Sequence, residues 1–193
     1  MPVPEYLKPH LRKIIFVFYP KKHRLFFDMH KFSPNNARRL LSALFSHDTI
    51  VKNFGHVDVE VETSKEAIEK ILEIPSKTKL EIKISLPNPD DISEEEQRVI
   101  DRLKNQNART VKETYTSTKE EGLKPDHETI TLMRVVKSNG YVHVTGYEGE
   151  KKIEKSTLDH PLFEQEYYNP DTTTTKDALL GLSGRLMASI AKS

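Results

Sequence analysis

The sequence predicts an α+β fold with a mixed sheet, and three observations predict it. Runs with strict two-residue alternation are separated by segments with helical spacing of apolar residues. Two of the helical segments open on capping boxes, Thr63 with Glu66 and Ser93 with Glu96. The chain has 193 residues, a length that suits one core. The expected order is an N-terminal β-hairpin, a strand-helix-strand core, a C-terminal hairpin and a final helix.

Each element has a local reason. Lys13 to Tyr19 and Leu25 to Met29 are rich in β-branched and aromatic residues and flank Pro20 to Arg24, which predicts the first hairpin. Ser33 and Pro34 offer a helix start, and Ala37, Leu40, Leu41, Leu44 and Phe45 recur at helical spacing. His56 to Glu62 alternates, placing Val57, Val59 and Val61 on one face. A short helix with Ala67, Ile68, Ile71 and Leu72 inward ends at Pro75, and Leu80 to Leu86 alternates again. Strand, helix and strand in succession predict a parallel crossover pair. Pro87 to Asp91 breaks the pattern before a helix carrying Val99, Ile100 and Leu103, and Arg109 to Thr118 reads as a strand.

Asp126 to Asn139 suits a capped helix, but Ile130, Leu132, Val135 and Val136 suit a strand as well. Tyr141 to Thr145 and Lys151 to Lys155 flank a turn and predict the second hairpin. Leu162 to Tyr168 reads as extended. Residues 1–175 are expected to form one domain, with a C-terminal helix over 176–193 as an interaction element, its small residues Gly181, Gly184 and Ala188 permitting close approach.

Composition narrows the chemistry. No cysteine is present, which removes disulfides and thiolate nucleophiles and predicts a reducing, cytoplasmic setting. No apolar run approaches the roughly 18 residues of a membrane span, so no membrane association is expected. The net charge of +1 is unevenly spread. Residues 1–54 hold ten basic and three acidic side chains, a net of +7, whereas residues 55–123 hold eleven and sixteen, a net of −5.

The eight histidines show no zincin spacing, and the seven glycines form neither a P-loop nor a dinucleotide fingerprint. Ser183-Gly184 lies within a helical pattern rather than at a nucleophile elbow. His56, Asp58 and Glu60 share one face of an alternating run and form the best ligand-like group, with a plain solvated strand face as the alternative. Asp90, Asp91 and Glu96 follow the Leu80 strand and can hold Mg²⁺ for phosphodiester cleavage, which would make the protein a metal-dependent nuclease. Turn and helix-start preferences account for the same residues. The basic residues Lys21, Lys22 and Arg24 in the hairpin and Arg38 and Arg39 on the first helix can contact phosphates and are the candidate nucleic-acid-binding set.

A resemblance runs through Phe16-Val-Phe-Tyr-Pro-Lys-Lys-His-Arg-Leu-Phe-Phe27, Phe54-Gly-His-Val-Asp-Val-Glu-Val61 and Leu80-Glu-Ile-Lys-Ile-Ser-Leu-Pro-Asn-Pro-Asp-Asp91. It continues in Asn139-Gly-Tyr-Val-His-Val-Thr-Gly146 and Ser156-Thr-Leu-Asp-His-Pro161. On these residues the chain resembles an uncharacterised family of bacterial and prophage proteins recorded as a domain of unknown function. The central strand, helix and strand are more faintly similar to RexA, a phage-exclusion protein that binds DNA. The resemblance carries over no functional residue. It implies a role in conflict between bacteria and phages, as a DNA-binding or partner-binding subunit. The resulting expectation is a non-enzymatic DNA-binding or interaction protein of phage defence or exclusion, with a nuclease and a protein-binding homodimeric subunit as alternatives.

Overall fold

The computed structural model describes residues 13–64, 66–86 and 94–190. Contacts divide the chain into two compact units, one built from its two ends and one from Pro34–Phe163.

In the first unit, β1 (Phe16–Tyr19) and β2 (Arg24–Phe27) form the expected antiparallel hairpin. The connection is a 3₁₀ turn over Pro20–Lys22, which proline's fixed φ favours, closed by His23 in the left-handed region at φ 52°. Residue pairs Phe16 with Phe27 and Phe18 with Leu25 set one face, while Val17 with Phe26 and Tyr19 with Arg24 set the other. Tyr19 and Phe26 meet edge to face with centroids 5.7 Å apart, the diagonal contact that a cross-strand pair allows. The last helix of the chain, α6 (Thr175–Ile190), lies against this hairpin. The Thr174 hydroxyl caps it, accepting from the Asp177 backbone N–H at 3.2 Å and donating to the Asp177 carboxylate at 2.6 Å. Ser183 is buried on α6 and its hydroxyl is 3.1 Å from that of Tyr19, with Gly184 beside it. Part of the small-residue side of α6 is thus occupied by the chain's own hairpin. Phe16 and Phe18 point the other way and are 60% and 50% exposed.

The second unit opens with α1 (Pro34–Phe45), begun by a proline at its first position, and α2 (Asp48–Phe54). Helix α2 is not among the elements expected from sequence; its N-cap is His47, whose ring nitrogen accepts from the Thr49 N–H at 3.3 Å. After an extended stretch come α3 (Glu66–Leu72), β3 (Ser76–Ser85), α4 (Glu94–Asn105), β4 (Thr110–Thr116), α5 (His127–Asn139), β5 (Gly140–Glu148) and β6 (Lys151–Ser156). The ambiguity over 126–139 resolves as helix. The Asp126 carboxylate caps it by accepting from the Thr129 N–H at 2.8 Å, and Leu132, Met133, Val135 and Val136 are all buried.

The four strands form one sheet in the order β4-β3-β5-β6. Every pairing is antiparallel, so the predicted parallel crossover is corrected. Its first strand is absent from the ladders: residues 56–62 form no strand and join neither sheet. The reason is competition for edges, since β4 and β5 occupy both sides of β3. The stretch finds other partners at its end, where Thr63 N–H donates to the Lys137 carbonyl at 2.9 Å and Leu162 N–H to the Glu62 carbonyl at 2.7 Å. The expected extension over Leu162 to Tyr168 likewise forms no ladder.

Alternation divides the sheet into two faces. Leu80, Ile82 and Ile84 of β3 and Val142 and Val144 of β5 are buried against Ile68 and Ile71 of α3, Leu103 of α4 and Met133 of α5. The opposite face is polar. Just past β6, the Thr157 hydroxyl accepts from the buried Val142 N–H at 3.1 Å. Thr157→Val keeps the shape and strands that donor, so unfolding free energy is expected to fall by about 1–3 kcal/mol, measured by urea denaturation.

Candidate functional site

On its polar face β3 presents Lys79, Glu81 and Lys83, β4 presents Thr110, Lys112, Thr114 and Thr116, and β5 presents Tyr141, His143, Thr145 and Tyr147. Register sets them in rows: Lys112, Lys83 and Tyr141 in one, Thr114, Glu81 and His143 in the next, Thr116, Lys79 and Thr145 in a third. All these side chains are half-buried or exposed, whereas the residues between them are buried on β3 and β5 and half-buried on β4.

Glu81 organises the centre. It accepts from Lys112 at 2.9 Å and from the Tyr141 hydroxyl at 3.0 Å, with Lys79 at 3.6 Å. The Lys112 hydrogen bond, with smaller help from Tyr141 and Lys79, holds its carboxyl below the usual range against the opposing effect of burial. Burial first, then the bond to Glu81, pushes the Tyr141 phenol up. A carboxyl with a lowered folded value binds its proton less readily in the folded than in the unfolded chain. Its stabilisation is therefore complete above the unfolded value of about 4.5 and lost as pH falls through the lowered folded one. Glu81→Gln is expected to flatten this acid dependence, checked by denaturation midpoints between pH 7 and pH 3.

Two rings on this face carry cations above them: Lys83 Nζ lies 5.8 Å from the Tyr141 centroid and Lys119 Nζ 5.0 Å from that of Tyr147. Further out, Lys152 pairs with Glu154 at 2.9 Å.

At the Lys83 end of the face a cleft of about 230 Å³ is lined by side chains that include Arg38, Phe45, His56, Asp58, Glu60 and Lys83. Glu60 is its most buried charge, with 8% of its side chain exposed. One carboxylate oxygen accepts from Lys83 Nζ at 2.7 Å, and the Ser85 hydroxyl is 3.4 Å away. Arg38 Nη1 stands 3.6 Å from the other oxygen, an ion pair too long for a hydrogen bond. That oxygen, Oε2, and Arg38 Nε are both buried without a hydrogen-bond partner. Leaving such a group unpartnered costs on the order of 1–3 kcal/mol, so the pair is an uncommon feature of a folded interior.

The residues singled out from sequence fall in different places. Lys21 and Lys22 sit in the 3₁₀ turn and Arg24 starts β2, all in the first unit; Arg38 and Arg39 are on α1, in the second. Arg38 is engaged with Glu60, whereas Arg39 is exposed. Asp90 and Asp91 lie outside the described residues, and Glu96 falls within α4. His56, Asp58 and Glu60 do line one cleft, but Val57 and Val59 line it too, so the stretch does not divide into the two faces that alternation implied. Among the described residues, however, no three His, Asp or Glu side chains are grouped to hold a metal ion. The lysine and tyrosine face is not among the sites expected from sequence, although alternation in Leu80 to Leu86 and Tyr141 to Thr145 marks which residues point away from the core.

Fold and site define an α+β protein in which α3, α4 and α5 pack on one face of an antiparallel sheet and lysines and tyrosines stand on the other, with Arg38 of α1 and Glu60 at its Lys83 end. The chain belongs to the family described as a domain of unknown function (DUF4747), whose model matches residues 1–183. Comparison with curated proteins and with solved structures found no match. Among the described residues no helix is long and apolar enough to cross a membrane.

Proposed function

We propose that this is a non-enzymatic DNA-binding protein that holds single-stranded DNA on the open face of its four-stranded sheet. The observation that carries the reading is the placement of the half-exposed Tyr141 and Tyr147 on the polar face of an inner strand, ringed by Lys79, Lys83, Lys112, Lys119 and Lys152. Every base has a π-face, so tyrosine rings serve as sequence-tolerant stacking platforms while lysines follow the phosphates. The carboxylates Glu81 and Glu154 hold lysines in place and keep the face only modestly positive, which suits a strand that stacks as well as one that is attracted by charge. A setting in phage defence or exclusion, and a bacterial or prophage origin, come from the sequence resemblance, including the fainter one to RexA. Lys21 and Lys22 of the hairpin turn add a second basic surface for phosphate contact.

Fluorescence anisotropy with a labelled single-stranded DNA at 50 mM and 200 mM salt tests the proposal. The parent protein is expected to bind, with affinity falling as salt rises. Tyr147→Ala should weaken binding roughly ten- to a hundredfold, about 1–3 kcal/mol per stacked base. Lys79→Glu with Lys112→Glu should weaken it further and reduce the salt slope by about 0.7 for each phosphate that is no longer neutralised. Absence of binding by the parent at 50 mM salt would refute the reading. Loss on Lys21→Glu with Lys22→Glu, and none on the sheet substitutions, would move the interface to the hairpin.

A further inference from the structure

We propose that the cleft at the Lys83 end of the sheet receives a nucleobase by its hydrogen-bonding edge. Its two unpartnered atoms define the ligand's polarity. Glu60 Oε2 can only accept and Arg38 Nε–H can only donate, and both are buried beside one another. A neighbouring acceptor and donor are satisfied together by a ligand edge that presents a donor next to an acceptor. Adenine, cytosine, guanine and thymine all carry such an edge.

Three further features select a base among groups with that edge. Arg38 and Lys83 balance Asp58 and Glu60, so the lining has no net formal charge and favours a neutral ligand over a phosphate. Phe45 supplies an aromatic wall with Val57 and Val59 beside it, which suits a flat ring. The cleft holds about 230 Å³, a compact space rather than a long channel for an extended peptide.

Lys83 belongs both to this cleft and to the sheet face, so the inference rests on the nucleic-acid reading of that face: a strand lying along it would turn one base aside into the cleft. The same chemistry also fits a free nucleoside. Glu60 and Arg38 would fix the base edge, and Lys83 would hold Glu60 in position through its 2.7 Å bond to the other oxygen.

The test uses the full chain, a single-stranded DNA with one 2-aminopurine in each of several positions, and free adenosine. The main variant is Arg38→Met with Glu60→Met, which removes both polar groups while keeping bulk, a change that folded proteins tolerate better than removal of one partner. Glu60→Gln is the second variant, and thermal melting checks that each is folded. The parent is expected to alter 2-aminopurine fluorescence at one position of the bound strand. The double variant should abolish that change and weaken strand binding about tenfold or more, while Glu60→Gln should give an intermediate loss.

Equal affinity and unchanged fluorescence in the folded double variant would overturn the base site and leave the sheet reading intact. If no strand binds but adenosine shifts the His56 ring signals in the NMR spectrum of the parent and not of the double variant, the base site stands and the sheet reading falls. If neither ligand has an effect, both fall. A short peptide amide that shifts those signals where adenosine does not would overturn the inference in favour of a peptide ligand.

Discussion

Gly140→Ala is expected to remove a large part of the stability of the sheet unit at 25 °C. Gly140 is the first residue of β5 and follows directly on the last residue of α5, with no loop between. Its φ of 167° is ordinary extended backbone, so the demand for glycine is one of room. A methyl group there would overlap the Lys83 carbonyl oxygen and sit 2.9 Å from its carbon. These are backbone atoms of the neighbouring strand, held in register by the β3–β5 ladder, and they cannot swing aside as a side chain would. Relief requires the strands to part at the end of their ladder, where Gly140 and its partner Ile84 are both buried. The expected loss exceeds about 4 kcal/mol, against a typical total stability of roughly 5–15 kcal/mol. Gly149→Ala is the control. Gly149 lies in the β5–β6 turn at φ 61° with nothing within 4 Å of the added methyl, so only the left-handed conformation is penalised, by about 1–2 kcal/mol. Urea denaturation followed by circular dichroism distinguishes the two, and similar midpoints would mean that the strands do not approach as closely as described.

Ile82→Ala is the second large effect, with an expected loss of about 2–5 kcal/mol. Ile82 is fully buried at the centre of β3, paired with Glu113 on one side and Val142 on the other. It belongs to the cluster that joins Ile71 of α3, Leu103 of α4 and Met133 of α5. Truncation removes three methylene-sized groups from a place where three helices meet, and the backbone cannot collapse because both neighbouring strands pin it. Ile82→Val should cost only about 0.5–1.5 kcal/mol. A loss that grows with the volume removed identifies packing as the cause; equal losses would point instead to altered strand pairing.

Local structure is largely legible in the sequence because its causes are local. The aromatic hairpin around Pro20, the short helix starting at Glu66, and the β5–β6 turn at Gly149 all form as expected, although Thr63, read as the cap of that helix, gives both its N–H and its hydroxyl to the Lys137 carbonyl. Strand partnership is decided by non-local competition, and there sequence and structure part. Val57, Val59 and Val61 alternate as well as Leu80, Ile82 and Ile84 do, yet β3 pairs with β4 and β5, from about 30 and 60 residues further on. Helix α2 is a second departure, although Asp48 in its first turn and Gly55 at its end are conventional boundary signals. The polar face is hidden in the sequence for a non-local reason too. Lys83, Lys112 and Tyr141 look like unrelated outward residues until the sheet places them in one row. Arg38 is legible as a charge but not as the partner of Glu60, because nothing local relates a helix residue to an extended stretch about 20 positions later.

The pairing of the N-terminal hairpin with α6 has a consequence for synthesis. Tyr19 and Ser183 are 164 positions apart, so the hairpin leaves the ribosome long before the helix that covers its Tyr19 face. At the rates of translation, about 5–20 residues per second, that interval lasts on the order of ten seconds or more. Throughout it, the Tyr19 face of an aromatic two-stranded ribbon lacks the helix that covers it, and an isolated hairpin is only marginally stable. The Pro34–Phe163 unit can close first around its own core, leaving the two chain ends to find each other as a late step. This places the hairpin among the segments that a holding chaperone would meet on the nascent chain.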